Sequence, residues 1–128
     1  MRQPLPDCLE RVVAPIIRDF QVPTPIPVRL GYTPGCLWIE EVDDAARTGC
    51  SIPQDVCQTD EELTVFLADF LQEQFFLETA CAWGEPRPPC PEHPHPLSAA
   101  MVDATPYWIC PRDGRLVAPI GRLADSGL

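Results

Sequence analysis

Proline placement constrains this chain more than any other feature of its sequence. The 128 residues include 17 prolines, which concentrate at residues 4–6, 23–27 and 86–96. Proline has no backbone N–H and clashes with the preceding helical turn, so helices are not expected to continue through these clusters. Regular helices and strands are therefore expected between the clusters, and residues 86–96 must be extended or turned.

Two helices are predicted in the first two-thirds of the chain. Apolar residues at helical spacing from Leu9 to Phe20 predict a helix over residues 6–20, with Pro15 as a kink on its solvent side. A second helix, up to about Trp83, begins with the capping-box pattern Thr59-Asp60-Glu61-Glu62. Its apolar stripe, expected at the centre of the core, comprises Leu63, Phe66, Leu67, Phe70 and Leu71.

A β-hairpin is predicted between these helices. Apolar and polar residues alternate over residues 26–32, and residues 37–42 supply a second strand after the turn sequence Thr33-Pro34-Gly35. Two prolines at the start of the first strand cannot donate ladder hydrogen bonds, so this strand is expected at a sheet edge. For residues 43–58 the sequence indicates only a loop or a short helix.

Charge and composition narrow the range of partners. The formal net charge is -10, and most of it lies in residues 1–83, where fourteen acidic residues accompany five arginines. Such a chain repels nucleic acid, apart from a local contact that Arg112, Arg115 and Arg122 could supply. All nine cationic side chains are arginines, which excludes chemistry that needs a Schiff-base or P-loop lysine.

The expected location is the cytoplasm. No stretch resembles a secretory signal or stays apolar over the length of a bilayer span, so no membrane partner is expected. Seven cysteines in that compartment are expected to be reduced, buried or metal-bound. Five are interpreted mainly as small core residues: Cys8, Cys36, Cys50, Cys57 and Cys81. Oxidation could pair Cys50 with Cys57.

The remaining two cysteines lie close in sequence to the only two histidines. His93 and His95 are within five residues of Cys90, and Cys110 follows His95 by fifteen residues. Thiolate sulfur and imidazole nitrogen are ligands of tetrahedral Zn²⁺. The cluster therefore predicts a zinc site, whose binding energy would stabilise this proline-rich part of the chain.

The pattern Cys90-x2-His93 and Cys110-x2-Asp113 resembles the paired knuckles of zinc ribbons, in which Cys-Pro-x-x is followed by a glycine such as Gly114. The resemblance covers residues 84–128. It implies that Cys90 and His93 bind zinc from one hairpin tip and Cys110 from the other. The chain departs from the family at Asp113, where zinc ribbons have cysteine. The rest of the chain resembles only uncharacterised small bacterial proteins, a resemblance that implies no activity.

The fourth ligand is open between two residues. His95 would give two sulfur and two nitrogen ligands, a set typical of closed structural sites. Alternatively, the Asp113 carboxylate binds and His95 stays outside the coordination shell. If neither binds, water occupies the fourth position, as in catalytic zinc sites, and Glu92 becomes the candidate general base.

These patterns predict a single α+β domain over residues 1–128. Residues 1–83 would form a core of two helices packed on a β-hairpin. Residues 84–128 would form a proline-rich loop and a zinc-ribbon-like hairpin, with strands at 107–110 and 116–123.

The predicted function is that of a small acidic, zinc-stabilised module that binds another protein. The negative charge favours a partner with a basic surface. Where they are exposed, Trp38, Tyr107 and Trp108 are the candidate contact residues for such a partner, although aromatic side chains are more often buried. The alternative is a zinc-dependent hydrolase in which metal-bound water attacks and Glu92 is the general base.

Overall fold

The computed structural model describes residues 3–21, 25–42, 47–52, 59–76, 87–91 and 95–123. Within these ranges the chain forms two α-helices and two three-stranded antiparallel sheets, so the predicted α+β class is confirmed. The helices are α1 (Asp7–Phe20) and α2 (Asp60–Leu71). Sheet 1 contains β1 (Val28–Thr33), β2 (Cys36–Glu41) and β3 (Arg47–Ser51), and sheet 2 contains β4 (Ser98–Val102), β5 (Thr105–Ile109) and β6 (Leu116–Pro119).

Helix α1 is amphipathic, as its apolar spacing predicts. It buries Leu9, Val12, Val13, Ile16 and Phe20. Pro15 does not face open solvent, because Gly121 packs on it so closely that an added Cβ would lie 2.7 Å from the proline ring. Pro15 is therefore half-buried, and the cause is a contact between residues distant in sequence.

Helix α2 begins with the predicted capping box. The Glu62 N–H donates to Thr59 Oγ1 at 3.1 Å, and the Thr59 hydroxyl donates to the Glu62 carboxylate at 3.2 Å. Leu71 ends the α-helix and a π-helical turn follows over Gln72–Phe76. Phe66 is 36% exposed, so its predicted burial is wrong. The predicted helix end at Trp83 lies outside the described residues.

Sheet 1 extends the predicted hairpin by one strand. The strand order is β1-β2-β3, so β1 lies at an edge as predicted, where Gln3 pairs with Tyr32. The expectation of a loop or helix over residues 43–58 misses β3, which has no apolar alternation. Gly49 of β3 lies beneath the Trp38 ring, where an added Cβ would come within 2.7 Å of the indole.

Sheet 2 contains the predicted C-terminal hairpin as β5 and β6, and it adds β4, which the sequence did not indicate. Helix α2 packs against α1 on one side and against β4 and β5 on the other. One continuous cluster of buried side chains connects both helices and both sheets, and it includes Leu37, Leu67 and Trp108. Neither described helix is long and apolar enough to span a membrane.

Candidate metal centre

The first half of the candidate metal centre, here named the first knuckle, consists of residues 88–90 paired with residues 95–97. The Leu97 N–H donates to the Pro88 carbonyl at 2.8 Å, and the Cys90 N–H donates to the His95 carbonyl at 3.0 Å. Between these bonds Pro89 and Pro96 oppose each other. The hydrogen bonding places Cys90 and His95 opposite each other.

The second knuckle, residues 110–115, joins β5 to β6. The Cys110 N–H donates to the Arg115 carbonyl at 2.9 Å, and the Gly114 N–H donates to the Cys110 carbonyl at 2.7 Å. Gly114 has φ +75°, a conformation that glycine adopts at little cost. In both knuckles a cysteine N–H therefore donates to the carbonyl of the residue five positions later.

Buried polar side chains anchor both knuckles to the helices. Gln72, from the π-helical turn, donates through Nε2 to the carbonyls of Arg87 and Leu97, at 3.0 and 2.6 Å. One side chain thereby fixes both ends of the first knuckle. Asp19 at the end of α1 accepts the Trp108 indole N–H at 2.7 Å, which fixes β5 two residues before Cys110.

The knuckles bring three potential ligand atoms together. The sulfurs of Cys90 and Cys110 and a ring nitrogen of His95 all lie within 4.8 Å of one another. His95 Nε2 is 3.8 Å from Cys110 Sγ. Both cysteines are buried and His95 is half-buried. This Cys2His group is the arrangement that can hold a metal ion.

The orientation of the His95 ring is fixed from its other side. Nδ1 lies 3.0 Å from the Pro96 carbonyl oxygen, which can only accept a hydrogen bond. The Nδ1–H tautomer satisfies that contact and leaves the lone pair on Nε2, the nitrogen that faces Cys110. Metal-binding histidines typically donate their second ring N–H to a carbonyl or carboxylate in this way.

The groups around the Cys110 thiol shift its pKa in opposite directions. Burial raises its pKa, the backbone N–H groups of Asp113 and Arg112 lower it, and hydrogen bonds with the Asp113 carboxylate and with Cys90 raise it again. The two N–H groups would stabilise a thiolate, and a bound cation would favour the thiolate further, because coordinated thiols are deprotonated.

The predicted site residues have different outcomes. The structure brings Cys90, His95 and Cys110 together. His93 and Glu92 lie outside the described residues, so their predicted roles stay predictions. Asp113 is exposed and its carboxylate accepts the Arg115 N–H at 2.9 Å. The zinc-ribbon resemblance paired Cys90 with His93, whereas in the first knuckle the residue opposite Cys90 is His95.

Two residues outside the motif were misjudged or missed. Trp108 is fully buried against Phe20 and is therefore not a contact residue for a partner, whereas Trp38 and Tyr107 are half-buried. Asp19 was not predicted at all. Its sequence position, next to the apolar face of α1, was the available signal, but the residues that it bonds lie about a hundred positions away.

No family model, no curated protein and no solved structure matches this chain.

Proposed function

We propose that Cys90, His95 and Cys110 bind one Zn²⁺ ion that joins the two knuckles and stabilises the fold. Bonds of about 2.3 Å to sulfur and 2.0–2.1 Å to nitrogen, at tetrahedral angles, separate neighbouring ligand atoms by about 3.5–3.8 Å. The 3.8 Å between His95 Nε2 and Cys110 Sγ is close to that range, and it is the observation that carries the proposal.

We also propose that His93 completes a closed set of two sulfurs and two nitrogens. Such sets are typical of structural zinc sites. Asp113 is the alternative. Its carboxylate accepts the Arg115 N–H and hydrogen-bonds the Cys110 thiol, but it is not part of the group whose ligand atoms all lie within 4.8 Å of one another. A water molecule in the fourth position would instead support the hydrolase alternative with Glu92 as base.

Metal content tests the site directly. Untagged, reduced full-length protein is measured by native mass spectrometry and elemental analysis, as wild type and as Cys110→Ser, His95→Ala, His93→Ala and Asp113→Asn. We expect one zinc per chain in the wild type and in Asp113→Asn, and at least a tenfold weaker affinity in the other three variants. Cys8→Ser is the matched control, because Cys8 is exposed at the start of α1.

The outcomes separate the alternatives. Zinc retained in both His93→Ala and Asp113→Asn would contradict the closed set and would justify an ester-hydrolysis assay with Glu92→Gln as its control. A wild-type protein without metal, purified under reduction and without chelator, would contradict the whole site.

For the zinc-stabilised protein we propose a role in binding a partner with a basic surface. The first turns of α1 and α2 carry five exposed acidic residues: Asp7, Glu10, Asp60, Glu61 and Glu62. The Arg11 guanidinium bonds Asp60 at 2.8 Å, which brings the two acidic turns side by side. Charge of one sign on one surface accelerates association with a partner of the opposite sign.

An oligoarginine peptide serves as the probe for this role. We expect it to bind the wild type with an affinity that falls as salt rises, because exposed charges are screened. Neutralising Glu10 and Glu61 to glutamine should weaken binding several-fold. Neutralising the exposed acids Asp69 and Glu73, in the last turn of α2 and the π-helical turn after it, is the control, and equal losses in both double variants would contradict a localised acidic surface.

A further inference from the structure

The two sulfurs of the metal centre are also the two cysteines best placed to bond to each other. Cys90 and Cys110 come from different knuckles, yet their Sγ atoms lie within 4.8 Å and their thiols hydrogen-bond. A disulfide needs the sulfurs to approach to about 2.05 Å.

Other cysteine pairs on the described part of the chain are badly placed. Cys36 lies opposite Ser51 and Cys50 lies opposite Leu37, so the two cysteines occupy adjacent registers of β2 and β3. Successive side chains of a strand point to opposite faces of the sheet, so Cys36 and Cys50 face away from each other. Cys8 is exposed and stands at the start of α1, and Cys57 lies outside the described residues.

We infer that Cys90 and Cys110 form a disulfide when hydrogen peroxide oxidises them, and that the metal ion leaves as the bond forms. The release of metal rests on the proposed zinc site, whereas the disulfide rests only on the position of the two sulfurs. The site would then keep its two knuckles joined in either state, by a metal ion under reducing conditions and by an S–S bond after oxidation.

The chemistry balances with hydrogen peroxide as the only oxidant. The Cys90 thiolate attacks one peroxide oxygen, the O–O bond breaks, and the departing hydroxide takes a proton to become water, which leaves a sulfenic acid on Cys90. The Cys110 thiolate then attacks that sulfur, the S–O bond breaks, and a second water leaves after protonation. Two electrons pass from the sulfurs to the peroxide. We assign the first step to Cys90 because it is 6% exposed, whereas Cys110 is fully buried.

Loss of both thiolates explains the release of the metal. A disulfide sulfur carries no charge and is a poor zinc ligand, since the thiolate is the form that binds metal. Only imidazole ligation would remain at the site. The affinity for Zn²⁺ should therefore fall by more than a hundredfold on oxidation and return on reduction.

The experiment follows zinc and the disulfide in one sample. Zinc-loaded, reduced full-length protein in a Cys8→Ser background is treated with hydrogen peroxide. A chromogenic chelator reports released zinc, and alkylation with peptide mapping reports the disulfide. We expect one zinc released for each Cys90–Cys110 bond, a mass lower by two hydrogens, and reversal with dithiothreitol. Cys90→Ser and Cys110→Ser should each abolish the bond.

The His95→Ala variant separates the two claims. It keeps both sulfurs and removes one nitrogen ligand, so it should bind zinc weakly and still form the disulfide. Wild-type protein that holds zinc but yields sulfinic acid or a different cysteine pair under peroxide would overturn this inference and leave the zinc site standing. Protein that forms the disulfide but never binds zinc would overturn the proposed function and the release step, and would support the disulfide itself.

Discussion

The two sheets are held in the molecule by different kinds of contact. Sheet 1 turns Leu37, Ile39 and Cys50 toward the apolar core. Its inner face also carries Glu41, which is 1% exposed and whose carboxylate oxygens have no hydrogen-bond partner among the described residues. Apolar burial is non-directional and roughly proportional to area, so this sheet depends on many interchangeable contacts.

Sheet 2 also buries apolar side chains, such as Trp108 and Ala118, and it adds a few directional contacts. The buried Asp19 carboxylate accepts N–H groups from Trp108, Gly121 and Leu123, and Arg18 donates to the Gly121 carbonyl. These bonds hold β5 and the end of β6 against α1. The sheet that carries the second knuckle is therefore positioned by specific atoms, which is what a metal site needs from its surroundings.

Among the substitutions that test this comparison of the two sheets, Gly121→Ala is expected to change the free energy of unfolding most. Gly121 has φ +98° and an added Cβ would lie 2.7 Å from the Cβ of Pro15. Left-handed strain and overpacking together should lower the free energy of unfolding by about 3 kcal/mol in Gly121→Ala, measured by urea denaturation.

Gly114→Ala is the control, because Gly114 has φ +75° with open space around it. It should lose only about 1 kcal/mol, from backbone strain alone. Equal losses would contradict the packing argument.

Asp19→Asn should destabilise sheet 2 by about 2 kcal/mol, because one N–H of the cluster loses its acceptor while buried. The same variant should bind zinc more weakly, since the position of β5 sets that of Cys110. Urea denaturation and zinc titration measure the two effects. Asp69→Asn, on the exposed side of α2, is the matched control and should change neither.

The difference in stability between the wild type and Asp19→Asn should also depend on pH. Burial raises the pKa of Asp19 above its usual 3.8, despite the donors that favour its ionised form. A carboxyl whose folded pKa is raised binds its proton more tightly in the folded state, so its stabilising contribution is complete below pH 3.8 and declines as pH rises through the folded pKa. The wild type should therefore lose stability relative to Asp19→Asn from about pH 4 upward. A gain over that range would show a lowered pKa.

Replacing Glu41, the buried acid of sheet 1, should raise the free energy of unfolding, whereas Gly121→Ala and Asp19→Asn should lower it. Glu41→Met removes a buried carboxylate and keeps a side chain of similar length, so the free energy of unfolding should rise by about 1–3 kcal/mol. Glu40→Met is the control on the neighbouring position, where the side chain faces the other side of the sheet and pairs with Arg29. It should change stability by less than about 1 kcal/mol. A loss in Glu41→Met would reveal a donor from outside the described residues.

The smallest effect concerns the turns of the two sheets. The β1–β2 turn places Gly35 at φ +77°, whereas the β4–β5 turn places Asp103 and Ala104 at φ +50° and +64°. Ala104→Gly gives sheet 2 the residue that such turns prefer, and thermal denaturation should show a gain of about 0.5–1 kcal/mol. Gly35→Ala should show a loss of similar size. A loss in Ala104→Gly would mean that the entropy of the unfolded chain outweighs the turn strain.

The sequence by itself determined the elements that have a local signal. Helix α1, the capping box of α2, the β1–β2 hairpin and the grouping of Cys90, His95 and Cys110 follow from periodicity, turn residues and ligand chemistry within short windows. These signals are local because they depend on side chains a few residues apart.

Only the tertiary structure decided the remaining features. Strand β3 pairs with β2 where Gly49 lies beneath the Trp38 ring. His95 lies opposite Cys90 because the Cys90 N–H donates to the His95 carbonyl. Asp19 holds residues about a hundred positions away. Such contacts depend on which surfaces meet after folding, and no local pattern in the sequence encodes that meeting.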